Sequence, residues 1–233
     1  MSKQQPFISI KFGSEWIIRR PFLYRYMEKE YVDTFFETGA LRLSSFKRFS
    51  EHPDEERLDA REGEGTVFNI NTEGEGQTFS AKIRQGHNAY VLSTSTLYSK
   101  KLAERFETDS GFRIDNVMGF AIAVSRYVPG FIGGLEGPCI YQNGRIIERH
   151  SDPINLDSMR VSSGSKEIDM SKLMYKADLL AGFDLFFLKE IRYAHQHEYR
   201  LLWLVNNQAD LYLDIICPEA RDFCTRFEDL RIG

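Results

Sequence analysis

Cysteine is scarce in this chain of 233 residues: Cys139, Cys217 and Cys224 are odd in number, far apart or in apolar company, and lack any CxxC spacing. That excludes a disulfide framework and a cysteine-rich zinc module, and it fits reduced thiols in a cytoplasmic protein. Long apolar runs are missing too. No stretch approaches the ~18 residues of a membrane-spanning helix, and the opening Met1-Ser2-Lys3-Gln4-Gln5-Pro6 leads into no apolar leader segment. A soluble, cytoplasmic protein with no membrane partner is expected. Nor does one charge dominate, since 30 Lys and Arg against 34 Asp and Glu leave a formal net charge of −4. Without a global basic field the chain does not suit a nucleic-acid coating role, although a nucleic-acid substrate stays open.

Several catalytic signatures are absent as well. There is no G-x-S-x-G elbow, and residues 128–138, rich in glycine, lack both the lysine of a P-loop and the strand-to-helix setting of a dinucleotide fingerprint. That segment is expected to be a turn-rich loop. His195 and His197 form an H-x-H pair, but His52, His87 and His150 have no spacing that supplies further ligands, so no metal is expected. Each cysteine lies in a segment that reads as core or terminal helix, which argues against a thiol nucleophile.

What the chain does have is 42% hydrophobic and 13% aromatic content, enough to bury a sizeable core in one domain. Residues 7–18 alternate loosely, as an initial strand or hairpin arm does. Phe22 to Met27 predicts a short strand, and a helix follows from about Lys29 to Glu37, with Tyr31, Val32, Phe35 and Phe36 at helical spacing and Gly39 as its stop. Leu41 to Ser45 resumes as a strand. Residues 51–64 form an acidic, solvated loop, or a flap from which Arg57 or Arg61 reaches a phosphate. Thr66–Ile70 and Thr78–Ile83 flank a Gly/Glu turn and predict a hairpin, and Ala89 to Leu97 predicts a strand ending in hydroxyls. Lys100 to Phe106 reads as helix and the apolar run Val117 to Val124 as a buried strand. Gln142-Asn143-Gly144 between two strand-prone arms predicts a second hairpin. Residues 150–170 read as an exposed loop, Leu173 to Phe187 as a buried helix, Leu211 to Ile216 as the last strand, and Pro218 to Phe227 as a short amphipathic helix.

The most informative stretch is Tyr193 to Val205, where a polar cluster runs straight into an apolar, β-prone segment. On an extended chain Gln196, Glu198 and Arg200 share one face, and His195, His197 and Tyr199 share the other. The apolar run behind holds the Gln-x-Glu pair on a rigid element.

Three features stand in order along the chain: Arg25 on an early strand, Ser93-Thr94-Ser95 on a middle strand, and Gln196-x-Glu198 heading a late strand. Together they resemble the arginine, serine-threonine-serine, glutamate pattern of the mono-ADP-ribosyltransferases related to cholera toxin and the C3 exoenzymes. The Tyr24-Arg25 strand, the helix after it and the Gly39-x-Leu41 return are similar to the opening unit of that fold, which is seen also in the DarT-type DNA-modifying enzymes. Over most of its length the chain further resembles an uncharacterised bacterial family with a tyrosine-rich first strand and an E-x-R-L segment, here Glu198-Tyr199-Arg200-Leu201.

The resemblance implies an α+β fold of mixed, mostly antiparallel split sheets with flanking helices, in one domain over 1–233 that accommodates an insertion at about 100–180. It implies NAD as a substrate, with no metal. Tyr24, Arg25, Ser93, Thr94 and Ser95 are then cofactor-binding: Arg25 holds the NAD phosphate, in competition with Arg19, Arg20 and Arg42, and Ser93 holds the ribose or Glu198. Glu198 is the catalytic carboxylate, and Gln196 orients the acceptor and tilts the target away from arginine. The implied partners are a macromolecular acceptor, nucleic acid or protein, and an antitoxin or regulatory protein, as for a toxin or phage-defence effector. An NAD glycohydrolase and a non-catalytic interaction or nucleotide-sensing module on the same fold are the alternatives.

Overall fold

The computed structural model describes residues 8–9, 20–50, 61–70, 79–108, 110–150 and 156–227. In chain order its elements begin with β1 (Ile8–Ser9), β2 (Leu23–Tyr26), α1 (Lys29–Thr38), β3 (Ala40–Ser45), α2 (Phe46–Ser50), β4 (Glu64–Ile70), β5 (Phe79–Arg84) and β6 (Ala89–Ser95). There follow α3 (Lys100–Arg105), β7 (Gly111–Ile114), α4 (Val117–Ser125), β8 (Phe131–Pro138), β9 (Ile140–Gln142) and β10 (Ile146–His150). The last are α5 (Met170–Ala181), β11 (Leu188–Glu190), β12 (Glu198–Val205), β13 (Tyr212–Ile216) and β14 (Cys224–Arg226). The fold is mixed α+β and its sheets are mostly antiparallel; among the described residues only β10 on β4 and β11 on β9 run parallel.

The main sheet branches at β6. One edge of β6 pairs along its whole length with β12, from Ala89 opposite Leu204 to Ser95 opposite Glu198. Its other edge is shared: Tyr90 and Val91 pair with β3, whereas Ser95 pairs with Tyr24 of β2. Beyond β3 lies β13, and beyond β2 lie β7 and β14. The two branches part at Ser93, where no strand covers that edge among the described residues. The Arg25 guanidinium fills the gap, Nη1 donating to the Ser93 carbonyl at 2.5 Å. A backbone acceptor left bare by the split thereby keeps a partner.

Helix α1 joins the two branches. Val32 and Phe35 bury against the sheet, and the helix ends where Gly39 takes φ 81°, its N–H returning to the Phe35 carbonyl at 2.7 Å. A left-handed residue at that position favours glycine. Strand β12 is buried on both faces. Tyr199, Leu201, Trp203 and Val205 join a core with α1 and α4, while Leu202 and Leu204 pack with Val91, Phe46, Phe186 and Phe187. Burying each such leucine fully stabilises the fold by about 1.5–3 kcal/mol. Glu198 and Arg200 continue the Leu202 face toward the split, where the apolar cover ends.

Several expectations are corrected. Val117–Val124 is a helix, not a strand: the Asn116 side chain caps it by accepting from the Gly119 N–H at 2.9 Å, and it is buried on nearly all sides. A short apolar run fits a buried helix as well as a buried strand. Its carbonyl at Ala121 and the Ser125 hydroxyl receive the buried Trp203 indole N–H at 3.3 and 3.2 Å. Residues 131–138 are no loop but strand β8, paired along β12, with Gly134 opposite Trp203 and Gly137 opposite Arg200. Glycines there leave room beside two bulky side chains of β12.

The Asn143-Gly144 turn exists, but its arms part: β9 pairs with β11 and β10 with β4. Arg145, at φ 49° and fully buried, donates to the Arg61 carbonyl at 2.7 Å, and its own carbonyl accepts from Thr66 N at 2.9 Å, which draws β10 onto β4. Helix α5 stops at Ala181 and buries only Ala177 and Ala181, so it is a surface helix, not a buried one through Phe187. The tail after Pro218 is a 3-10 turn followed by strand β14. The Thr66/Ile83 hairpin is present as β4 and β5, and residues 111–138, inside the stretch expected as an insertion, give β7 and β8 to the main sheet. Most of the expected strand at 7–18, and the 51–60 part of the acidic loop with Arg57, lie outside the described residues.

Candidate active site

A cleft of about 730 Å³ opens where the sheet splits. Tyr24, Arg25, Ser93, Thr94, Ser95, Gln196 and Glu198 all line it, although some 170 residues of chain separate the first from the last. Strand pairing brings them together, since Ser95 faces both Tyr24 and Glu198 across its two edges. On β6 the alternation puts Ser93 and Ser95 on the Val91 face, the same face as Glu198 and Arg200. Ser93 Oγ donates to Glu198 Oε1 at 2.7 Å. The other two hydroxyls hold the strand ends: Thr94 donates to the Tyr199 carbonyl at 2.7 Å and Ser95 to the Gln196 carbonyl at 2.9 Å.

Gln196 reaches the site by a different route from the expected one. The extended chain begins only at Glu198; Gln196 closes a 3-10 turn over Ile191–Gln196, and His197 sits in the left-handed region at φ 46° and ψ 42°. His197 is exposed, and His195 Nδ1 lies 2.9 Å from the Arg192 carbonyl. Among the described residues no three metal-ligating side chains gather.

Behind the cleft lies a buried ion cluster. Lys189 Nζ on β11 donates to Gln196 Oε1 at 2.7 Å and to Glu198 Oε2. Arg200 Nε donates to Glu198 Oε1 at 2.8 Å, while Nη1 donates to the Phe186 carbonyl at 2.6 Å and forms an ion pair with Glu62 Oε1 at 2.7 Å. Two cations thus balance two carboxylates, all but removed from water. Burial pushes the Glu198 carboxyl upward, but the charges of Arg200 and Lys189 and their hydrogen bonds overcome it and hold it well below the usual carboxylate range. Burial likewise works against the Lys189 ammonium, and the charges of Glu198 and Glu62 turn the net shift upward. Tyr141 accepts the Glu198 backbone N–H at 2.7 Å, and burial drives its phenol far up.

Comparisons of the chain with protein-family models, curated proteins and solved structures find no match. What the cleft can do follows from its own geometry. One wall is aromatic: Tyr24 lines it, backed by Tyr98 at 5.5 Å and Phe227 at 6.3 Å between ring centroids. Tyr26 also lines the cleft, its hydroxyl donating to the Leu97 carbonyl and accepting from Ser99 N, both at 2.8 Å; burial pushes its phenol up to about 12. Such rings suit a planar, apolar ligand face. Of the competing arginines, Arg25 and Arg42 line the cleft, and Arg42 forms a forked pair with Asp214 at 2.6 and 2.7 Å. Arg20 is exposed, Arg19 lies outside the described residues, and Arg61 is exposed in the turn before β4.

Lys189, Arg200, Glu62 and Tyr141 are the residues of this site to which the sequence assigned no role. Two of them leave a sequence signal. Lys189 follows the apolar run Leu185-Phe186-Phe187-Leu188 directly, and Arg200 stands one residue ahead of an apolar strand. Charges inside apolar runs are buried only when paired.

Proposed function

We propose that this protein is an NAD-dependent mono-ADP-ribosyltransferase whose acceptor is a macromolecule, a nucleic acid or a non-arginine protein side chain. The observation that carries this is the convergence of Arg25, Ser93 and the Gln196/Glu198 pair on one cleft, with Ser93 Oγ 2.7 Å from the Glu198 carboxylate. In the reaction the bond between nicotinamide and C1 of its ribose breaks, and nicotinamide leaves with the electron pair. The acceptor atom then bonds to C1 and gives up its proton. Positive charge develops on the ribose as that bond breaks, and a carboxylate already ionised and fixed in place stabilises it without reorganising. Arg25 meets the phosphates as a guanidinium fork, and the Tyr24 wall supports a ring. Gln196, an amide where arginine-modifying relatives of the resembled family carry a second carboxylate, directs the acceptor. A cytoplasmic toxin or phage-defence effector, held in check by an antitoxin or regulatory partner, is the role the resemblance supports.

One observation favours a second reading. Both Glu198 oxygens are already engaged by Ser93, Arg200 and Lys189, as they would be in a nucleotide-sensing module without turnover. Incubation with labelled NAD separates the cases. Label transferred to lysate protein or to purified nucleic acid supports the transferase, free ADP-ribose in buffer supports an NAD glycohydrolase, and saturable binding without cleavage supports the sensor.

A further inference from the structure

Lys189 occupies a position that the NAD chemistry alone does not explain. It lies on a short parallel strand pair outside the main sheet, yet the residue is only 7% exposed and lines the cleft. One nitrogen contacts both functional groups of the Gln-x-Glu pair, Gln196 Oε1 at 2.7 Å and Glu198 Oε2. An ammonium has donors only, so the oxygen end of the Gln196 amide must face it, which fixes the sense in which the amide is turned. Stability gives little reason for such a lysine, because a buried ion pair is often no better than apolar packing of the same volume. The 3-10 turn and left-handed His197 between Gln196 and Glu198 mean that strand geometry does not align the two side chains.

We propose that Lys189 is a positioning residue that ties the Gln196 amide and the Glu198 carboxylate into one unit and sets how both are presented to the cleft. This rests on the proposed NAD chemistry for its consequence and on the geometry for its premise. The charged and titratable groups around Glu198 are Arg200 on its own strand, Lys189 on β11, Glu62 before β4, and Cys139 and Tyr141 at the β8–β9 junction. Removing the lysine charge leaves Arg200 facing two carboxylates, so Glu198 takes up a proton at higher pH.

The test compares the full chain with Lys189→Gln and Lys189→Arg, reading the acid limb of kcat/KM for NAD cleavage and, by infrared difference spectroscopy against Glu198→Gln, the titration of the Glu198 carboxyl. Lys189→Gln is expected to move both upward by roughly 1–2 pH units, and Lys189→Arg to return both toward wild type. A lysine that merely supports the fold changes the rate and leaves the limb in place; that result, or an unmoved infrared titration, overturns the proposal. Lys189→Met serves as a second neutral variant should the glutamine fail to fold. Absence of NAD cleavage by the wild type refutes the proposed function, whereas the infrared titration still decides whether Lys189 governs Glu198.

Discussion

Replacing Arg200 with methionine removes one guanidinium and three contacts at once: the hydrogen bonds to Glu198 Oε1 and the Phe186 carbonyl, and the ion pair with Glu62. Arg200 is 1% exposed, so water cannot take its place. Breaking a buried ion pair from one side costs about 3–5 kcal/mol, because the remaining charge stays buried. Glu198 keeps Lys189 and Ser93, which places the expectation within that range, not above it. In urea titrations at neutral pH this lowers the midpoint by about 1–5 M at slopes of about 1–3 kcal/mol/M. In thermal scans it corresponds to a fall of roughly 6–20 °C for a domain of this size.

The pH dependence has a definite sign. In the wild type Glu198 titrates below its ordinary value near 4.5, so its stabilisation is complete above that value and is lost as pH falls below it. In Arg200→Met the same carboxyl loses its first opposing charge and burial raises its pKa, so acid relieves the penalty. The stability gap between the two proteins therefore narrows as pH falls through about 5 toward 4. A loss under about 1 kcal/mol, or a gap that widens in acid, would refute the view of this cluster as a balanced, water-excluded set of charges.

Three further substitutions probe separate links. Ser93→Ala removes the hydroxyl that holds Glu198 and is expected to slow NAD cleavage by roughly 10- to 100-fold with the fold retained by circular dichroism; unchanged turnover counts against Ser93 as a positioning group. Gln196→Ala is expected to leave NAD cleavage largely intact while the transferred fraction of label falls, and equal losses in both would remove its acceptor role. Gly39→Ala places a Cβ at φ 81°, 2.5 Å from the Cys217 carbonyl carbon, and is expected to cost about 1–3 kcal/mol in thermal scans; a neutral result would mean that the α1 stop and the Cys217 turn adjust freely.

The parts of this molecule that follow local rules can be read along the chain. Tyr24-Arg25, the helix over Lys29–Thr38 and the Gly39 stop each follow from spacing and backbone preference, and period-two alternation places Ser93 and Ser95 together. The parts set by distant contacts cannot. Val117–Ser125 carries no period to separate helix from strand, and its nature is decided by an Asn116 cap and by enclosure against Trp203. Gly133, Gly134 and Gly137 resemble loop residues until β12 sets Trp203 and Arg200 against this strand. The arms of the Asn143-Gly144 turn separate because buried Arg145 draws β10 to β4. Gln196, Glu198 and Arg200 do meet around one centre, but through a 3-10 turn and a lysine from another strand, which strand alternation alone does not foresee.

Glu198→Gln, compared with the wild type for cleavage and transfer of labelled NAD, tests the central claim most directly. The amide keeps the shape of the side chain and removes the charge that acts on the developing cation, so turnover is expected to fall by at least ~100-fold while most NAD affinity remains. Equal turnover in the two proteins, or no NAD binding or cleavage by the wild type, contradicts a site built around that carboxylate.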